Sequence, residues 1–216
     1  MNKTEPNIVQ RNPVVAIMGH IDHGKSTILS FIRKNTKALN EAGGITQHVS
    51  AYEVTHTDNA GVAHTITFLD TPGHAAFSGI RTRGAKVADI AILVVSAEDG
   101  VKPQTIEALK SITDSKTPYI VAINKIDKPE ANIEKTKQSL AENEIYVEGY
   151  GGDIPVVEVS GKNGQGIPDL LDMITLVSSM SELTGNKNQN GSGIIIESNS
   201  DNKKGISAVC IIKDGQ

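Results

Sequence analysis

Short apolar runs rich in β-branched residues recur along the chain, separated by longer stretches in which apolar positions return every three or four residues. The runs at 14–18, 65–69, 90–96, 119–124 and 155–160 are each short and continuous enough for a buried strand, which predicts a mainly parallel sheet. The run at 51–57 alternates more and is expected to pair antiparallel at an edge. Helices are expected over 25–33, about 75–86, 104–113, 133–143 and 168–180, several opened by a proline or a capping residue. About six strands and five crossovers make an α/β, doubly wound fold with one antiparallel edge strand.

After Met180 the pattern gives way to polar residues and glycine, in Gly185-Asn186-Lys187-Asn188-Gln189-Asn190-Gly191-Ser192-Gly193, which predicts a linker. Strand patterns return at 194–198 and 206–212 with a polar turn between them. Two strands cannot form a stable domain alone, so they are expected to open a truncated β-rich domain. The chain is expected to divide into a tail (1–12), a main α/β domain (13–181), a linker (182–193) and the first strands of a second domain (194–216). No internal repeat is visible.

Composition narrows the partners. A formal charge of −4 is poor for stand-alone binding to a phosphate backbone, so any RNA contact is expected to be local. With 3% aromatic residues and no tryptophan, stacking platforms for single-stranded nucleic acid are not expected either. The single cysteine, Cys210, excludes an internal disulfide and is expected to be a small buried apolar residue. No apolar run approaches the roughly 18 residues of a membrane span, and 1–12 resembles neither a secretory signal nor a transit peptide.

The chemistry lies in three motifs. Gly19-His20-Ile21-Asp22-His23-Gly24-Lys25-Ser26 fits the G-x-x-x-x-G-K-[ST] phosphate loop and stands between a predicted strand and a predicted helix, as its mechanism requires. Backbone N–H groups from Asp22 through Thr27 can wrap the phosphates. The helix N-terminus adds positive potential, Lys25 can reach the β- and γ-phosphates, and the Ser26 hydroxyl can ligate Mg²⁺.

Asp70 closes a hydrophobic strand and opens Asp70-Thr71-Pro72-Gly73, placing a carboxylate where it can hold the magnesium, with the Gly73 N–H free to approach the γ-phosphate. His74 follows. It can orient the attacking water, or it is a solvent-exposed residue at a helix start. Thr46, in Gly43-Gly44-Ile45-Thr46-Gln47-His48, can give a second hydroxyl to Mg²⁺, or it is a solvated loop threonine.

The base is read elsewhere. Asn124-Lys125-Ile126-Asp127 follows a predicted strand, at the sheet edge where ligands of such folds bind. The Asp127 carboxylate can accept from the ring N–H and exocyclic amine of guanine, a donor pair that adenine lacks. Lys125 can lay its stem over the base, and Asn124 can bind the base edge and tie this loop to the phosphate loop. Ser160-Gly161-Lys162, after the last strand, can offer backbone N–H groups to the guanine oxygen. A guanine-specific nucleotide site is therefore expected. A nucleotide-gated binding module with negligible hydrolysis and an ATP-dependent enzyme are the alternatives, the latter disfavoured by Asp127.

These motifs, together with Phe68-Leu69-Asp70-Thr71-Pro72-Gly73-His74-Ala75-Ala76-Phe77 and Gly151-Gly152-Asp153, resemble those of the translational GTPases, most closely the bacterial initiation factor 2 family. The resemblance covers nearly the whole chain, with 194–215 similar to the opening strands of the family's β-barrel domain. It implies slow hydrolysis of GTP to GDP and phosphate that the large ribosomal subunit stimulates, with His74 as the catalytic histidine beside ribosomal RNA. It also implies a monovalent cation or magnesium shell near Asp22, and contact with initiator tRNA only through a downstream domain. The expected setting is a monomer in the bacterial cytoplasm, or alternatively the mitochondrial matrix. Two departures from the family's pattern stand out: Gly161 replaces the usual alanine of Ser-Ala-Lys, expected to loosen that loop, and Ser26 stands where many relatives have threonine.

Overall fold

The computed structural model describes residues 7–35, 50–70, 84–201 and 205–215. Among the described residues the central sheet has six strands: β2 (Val14–Gly19), β3 (Ser50–Thr57), β4 (Ala63–Asp70), β5 (Ile90–Ser96), β6 (Tyr119–Asn124) and β7 (Val156–Glu158), in the order β3-β4-β2-β5-β6-β7. Only the β3–β4 pair is antiparallel. The doubly wound α/β expectation is met, with β3 as the antiparallel edge.

The continuous apolar runs are buried on both faces because helices cover both. Successive residues of a strand point to opposite sides. Val15 and Ile17 of β2, with Ile90, Ile92 and Val94 of β5, pack against α1 (Lys25–Asn35) and α4 (Ile167–Met180). Ala16 and Met18, with Ala91, Leu93 and Val95, pack against α2 (Pro103–Asp114) and α3 (Ile133–Glu142).

Local chemistry fixes the helix starts. Pro103 opens α2, where a missing N–H costs nothing, and the Thr105 hydroxyl accepts from the Lys102 N–H at 3.2 Å. Asn132 caps α3 by accepting from the Lys135 N–H at 2.9 Å. Of the helix expected over about 75–86, only its last turn, 84–87, lies within the described residues.

Beyond the two strands expected at 194–198 and 206–212, one pairing and one packing contact were not anticipated. β1 (Ile8–Gln10), in the expected tail, pairs antiparallel with β8 (Thr184–Asn186), in the expected linker. β9 (Ser192–Asp201) and β10 (Gly205–Asp214) form a long hairpin whose Ile196 and Ile211 pack on Val14, Leu69 and Val87 of the main domain. Beneath this contact, the Asp89 carboxylate accepts from both arms of Arg11 at 2.6 and 2.8 Å, from Lys213 Nζ at 2.6 Å and from the Val14 N–H at 2.9 Å. Cys210 is exposed on the hairpin, not buried as expected, because alternation along β10 turns Ile211 inward and Cys210 outward.

Candidate functional site

β2, β4, β5 and β6 end at one edge of the sheet, and the described residues of the phosphate-loop and base-reading motifs gather there, whereas Gly151-Gly152-Asp153 precedes β7 at the opposite edge. The chain leaves β2 at Gly19, which lies so close to β5 that a Cβ would stand 2.4 Å from the Val94 carbonyl oxygen. A 3₁₀ turn, Ile21–His23, follows, held from α2 by the Gln104 Oε1, which accepts from the Ile21 N–H at 3.1 Å. Gly24 then takes a left-handed conformation, φ 85°, and turns the chain into α1, leaving Ser26 and Thr27 exposed in the first helical turn. Lys25 is buried beneath the loop, its ammonium donating to the carbonyls of Gly19 at 2.9 Å and of His20. Asp22 is exposed on the turn.

His23 is fully buried, its Nδ1 3.3 Å from the Val94 carbonyl. Only a ring protonated at Nδ1 can pair with a carbonyl, so this contact sets the tautomer. Burial pushes the imidazole down to about 4, and it is neutral at physiological pH. The His20 and His23 rings lie 4.9 Å apart.

Asn124 joins the parts of the site. Its Nδ2 donates to the His23 carbonyl at 2.8 Å, and its Oδ1 accepts from the Gly161 N–H at 3.0 Å. One amide thereby connects the phosphate loop, the end of β6 and the 160–162 loop. Gly24 must be glycine for this, since a Cβ would stand 2.3 Å from Asn124 Nδ2.

Gly161 is similarly constrained. A Cβ there would stand 2.8 Å from the Ile28 backbone nitrogen on α1, so the glycine brings the loop against the phosphate-loop helix instead of leaving it slack. Ser160 is buried and donates to Asp127 Oδ1 at 2.7 Å, and this bond holds the Asp127 carboxyl below the ordinary carboxylate range. Asp127 and Lys125 are half-buried, and Lys162 is exposed. Lys125 adopts φ 66°, and its ammonium sits 2.7 Å from Glu98 Oε2.

Asp70 ends β4 half-buried, in register with Ile17 of β2, and so stands beside the root of the phosphate loop. Thr46, Gly73 and His74 lie outside the described residues. Sequence reasoning missed Gln104 and Glu98: one is an ordinary residue of a helix start, the other part of an acidic turn, and only the folded chain brings them to the loops they hold. A cleft of about 600 Å³ between the sheet edge and the β9–β10 hairpin is lined by Arg11, Tyr52, Thr67 and Ile211 and includes no motif residue.

The model of the Elongation factor Tu GTP binding domain family matches residues 10–179, most of the chain and all of the motif residues. The chain belongs to this family. It is the G domain of a translational GTPase, a GTP-binding switch. Its sequence is 53% identical over 211 residues to translation initiation factor IF-2 of Synechocystis sp., covering 97% of this chain and 21% of that protein. It is 49% identical over 217 residues to translation initiation factor IF-2 of Listeria welshimeri, covering 100% of this chain and 27% of the relative. The chain thus spans about a quarter or less of these relatives' length.

Among solved structures, GDP-bound aIF5B from Aeropyrum pernix matches with a TM-score of 0.67 at 31% identity, over 96% of this chain and 42% of that one. Translation elongation factor SelB from Methanococcus maripaludis, in complex with the GTP analogue GPPNHP, matches with a TM-score of 0.70 at 25% identity, over 95% and 42%. The fold and family expected from the motifs are those found.

Proposed function

We propose that this G domain binds GTP and GDP at the sheet edge described above and serves a bacterial initiation factor that places initiator tRNA and joins ribosomal subunits. The observation that carries the reading is the Asn124 amide, which joins the phosphate loop to both guanine-facing loops. A phosphate site and a base site held by one side chain fit a single nucleotide.

The base contacts follow from the carboxylate. Asp127 keeps acceptor capacity beyond the Ser160 bond, because an ionised carboxylate offers about four lone-pair positions. Guanine fills two of them with its ring N–H and amine. Adenine leaves them covered and unpaired, at a cost of about 1–3 kcal/mol or more. In the 160–162 loop the Ser160 N–H already donates to Gln165 and the Gly161 N–H to Asn124, so the Lys162 N–H serves the guanine oxygen, and the Lys125 stem covers the ring.

At the other end, N–H groups from Asp22 to Thr27 and the Lys25 ammonium take up phosphate charge. Among the described residues no cluster of three or more His, Cys, Asp or Glu side chains is placed to hold a metal. Mg²⁺ would be held largely by the nucleotide's own phosphates, with one or two oxygen ligands from the chain. Ser26 fits as a ligand, being exposed in the first turn of α1, and Asp70 fits through its place beside the loop root. Thr46 would complete the set, and a monovalent cation would lie near Asp22. The metal would supply neutralising charge for the phosphates.

Hydrolysis needs positioning more than covalent chemistry. Lys25 and the Gly73 N–H stabilise charge on the transferred group, and His74 orients the water. Ribosomal RNA of the large subunit sets His74 in place, which makes the domain slow alone and fast on the ribosome. Initiator tRNA is held by a domain downstream of this chain, in a bacterial cytoplasm or alternatively the mitochondrial matrix, and the G domain works as a monomer.

GTP turnover by the full-length factor, with and without ribosomes, tests the proposal. Ribosomes are expected to raise turnover by at least tenfold, and His74→Ala to abolish the rise while leaving GDP binding intact. A factor indifferent to ribosomes would refute the initiation role.

A further inference from the structure

We infer that Glu98 is a positioning residue for guanine recognition, acting through Lys125; this rests on the guanine-nucleotide reading above. The β5–α2 turn that carries Glu98 is braced on several sides. Ser96 is fully buried, and its carbonyl accepts from the Gly100 N–H at 2.9 Å, while its hydroxyl accepts from the Glu98 N–H at 3.2 Å. The Ala97 N–H donates to the Asn124 carbonyl at 2.8 Å, and the Ala97 carbonyl accepts from the Asn132 N–H at 2.9 Å. The turn is thereby fastened to both ends of the loop that holds Lys125 and Asp127.

From this platform Glu98 Oε2 meets Lys125 Nζ at 2.7 Å, with Asp99 Oδ2 farther off at 3.9 Å. Lys125 occupies a left-handed backbone conformation that a side-chain-bearing residue adopts only when its surroundings hold it there. A four-carbon stem with a free ammonium samples many rotamers. One anchored at its far end by a braced carboxylate is restricted before the base arrives, and its methylene face is presented for the purine at lower entropic cost. Glu98 also has Lys128 Nζ within 4.0 Å, which supplies a control.

Calorimetric titration of GDP into the chain tests this. Glu98→Gln keeps the side chain's size and removes its charge. It is expected to weaken GDP binding about threefold to fivefold, in keeping with a half-exposed ion pair, and to leave the thermal midpoint unchanged. Lys125→Met keeps most of the stem without the ammonium. On that background Glu98→Gln is expected to have no further effect, whereas on a Lys128→Ala background its full effect should remain.

Equal, additive losses on the wild-type and Lys125→Met backgrounds would overturn the inference, as would wild-type affinity in Glu98→Gln itself. If the wild-type chain fails to bind GDP, it is the nucleotide reading that falls.

Discussion

In the proposed nucleotide site, Asp127 is the residue on which base choice would turn. Replacing it with Asn exchanges one acceptor oxygen for a donor, so two charge-assisted hydrogen bonds to guanine are lost while a complement to xanthine's N–H and carbonyl appears. Asp127→Asn is expected to weaken GDP binding on the order of a hundredfold and to bind xanthosine diphosphate better than GDP, measured by titration calorimetry.

Gly161 makes a second test at this scale. A methyl group 2.8 Å from the Ile28 nitrogen has to be accommodated by a small shift of the loop or of α1. Because alanine is the family's usual residue here, Gly161→Ala should cost about 1 kcal/mol or less, read by titration calorimetry as a loss of GDP affinity of no more than about fivefold.

His23 carries a pH signature. Its folded-state value of about 4 lies below the ordinary histidine value of about 6.5, so the unfolded chain takes up a proton first as pH falls. The stability that comes from burying a neutral ring is fully present above about pH 6.5 and is lost between there and about pH 4, on the order of 2–3 kcal/mol in all. Thermal midpoints recorded from pH 7 to pH 5 should fall less steeply in His23→Asn than in the wild type.

These residues could be named from sequence because their motifs are local and each follows a recognisable strand. Their partners could not. The Glu98–Lys125 and Gln104–Ile21 contacts join segments 27 and 83 residues apart, which no short motif encodes.

At the scale of elements, the buried strands were the easiest to read. Ile90–Ser96 and Tyr119–Asn124 are found with the bounds their apolar runs suggest, since burial on both faces demands continuous hydrophobicity. β7 is shorter than its run because Pro155 has no N–H to give at one end and, at the other, Val159 keeps a single bond to the Ile123 carbonyl before Ser160 turns into the 160–162 loop. β1 and β8 carry no comparable signal: they are three residues each, partly polar, and exist because each is the other's partner. The exposure of Cys210 was hidden likewise, because the hairpin covers the domain on one face only.

Asp89 locks that hairpin and the Arg11 segment to the sheet. Burial opposes its charge, but Arg11, Lys213 and the Val14 N–H outweigh that and hold its carboxyl below the usual range. Its contribution is therefore present above about pH 4 and is lost as pH falls through the depressed value. Asp89→Asn leaves two cations facing a neutral amide and should cost about 2–3 kcal/mol at pH 7, measured as a lower denaturant midpoint.

Over the whole molecule, the nucleotide edge and the hairpin contact meet along β4 and β2. Leu69, under the hairpin, precedes Asp70 at the phosphate site, and Val14 and Gly19 begin and end one strand. One sheet thus carries both the proposed nucleotide site and the surface on which the next strands rest.

The central claim is a site selective for guanine, and competition tests it most directly. With a fluorescent GDP analogue bound to the chain in Mg²⁺ buffer, unlabelled GTP and GDP should displace it at near-stoichiometric concentrations, and ATP should fail to do so at about a hundredfold excess. Displacement by ATP as readily as by GTP would contradict the account.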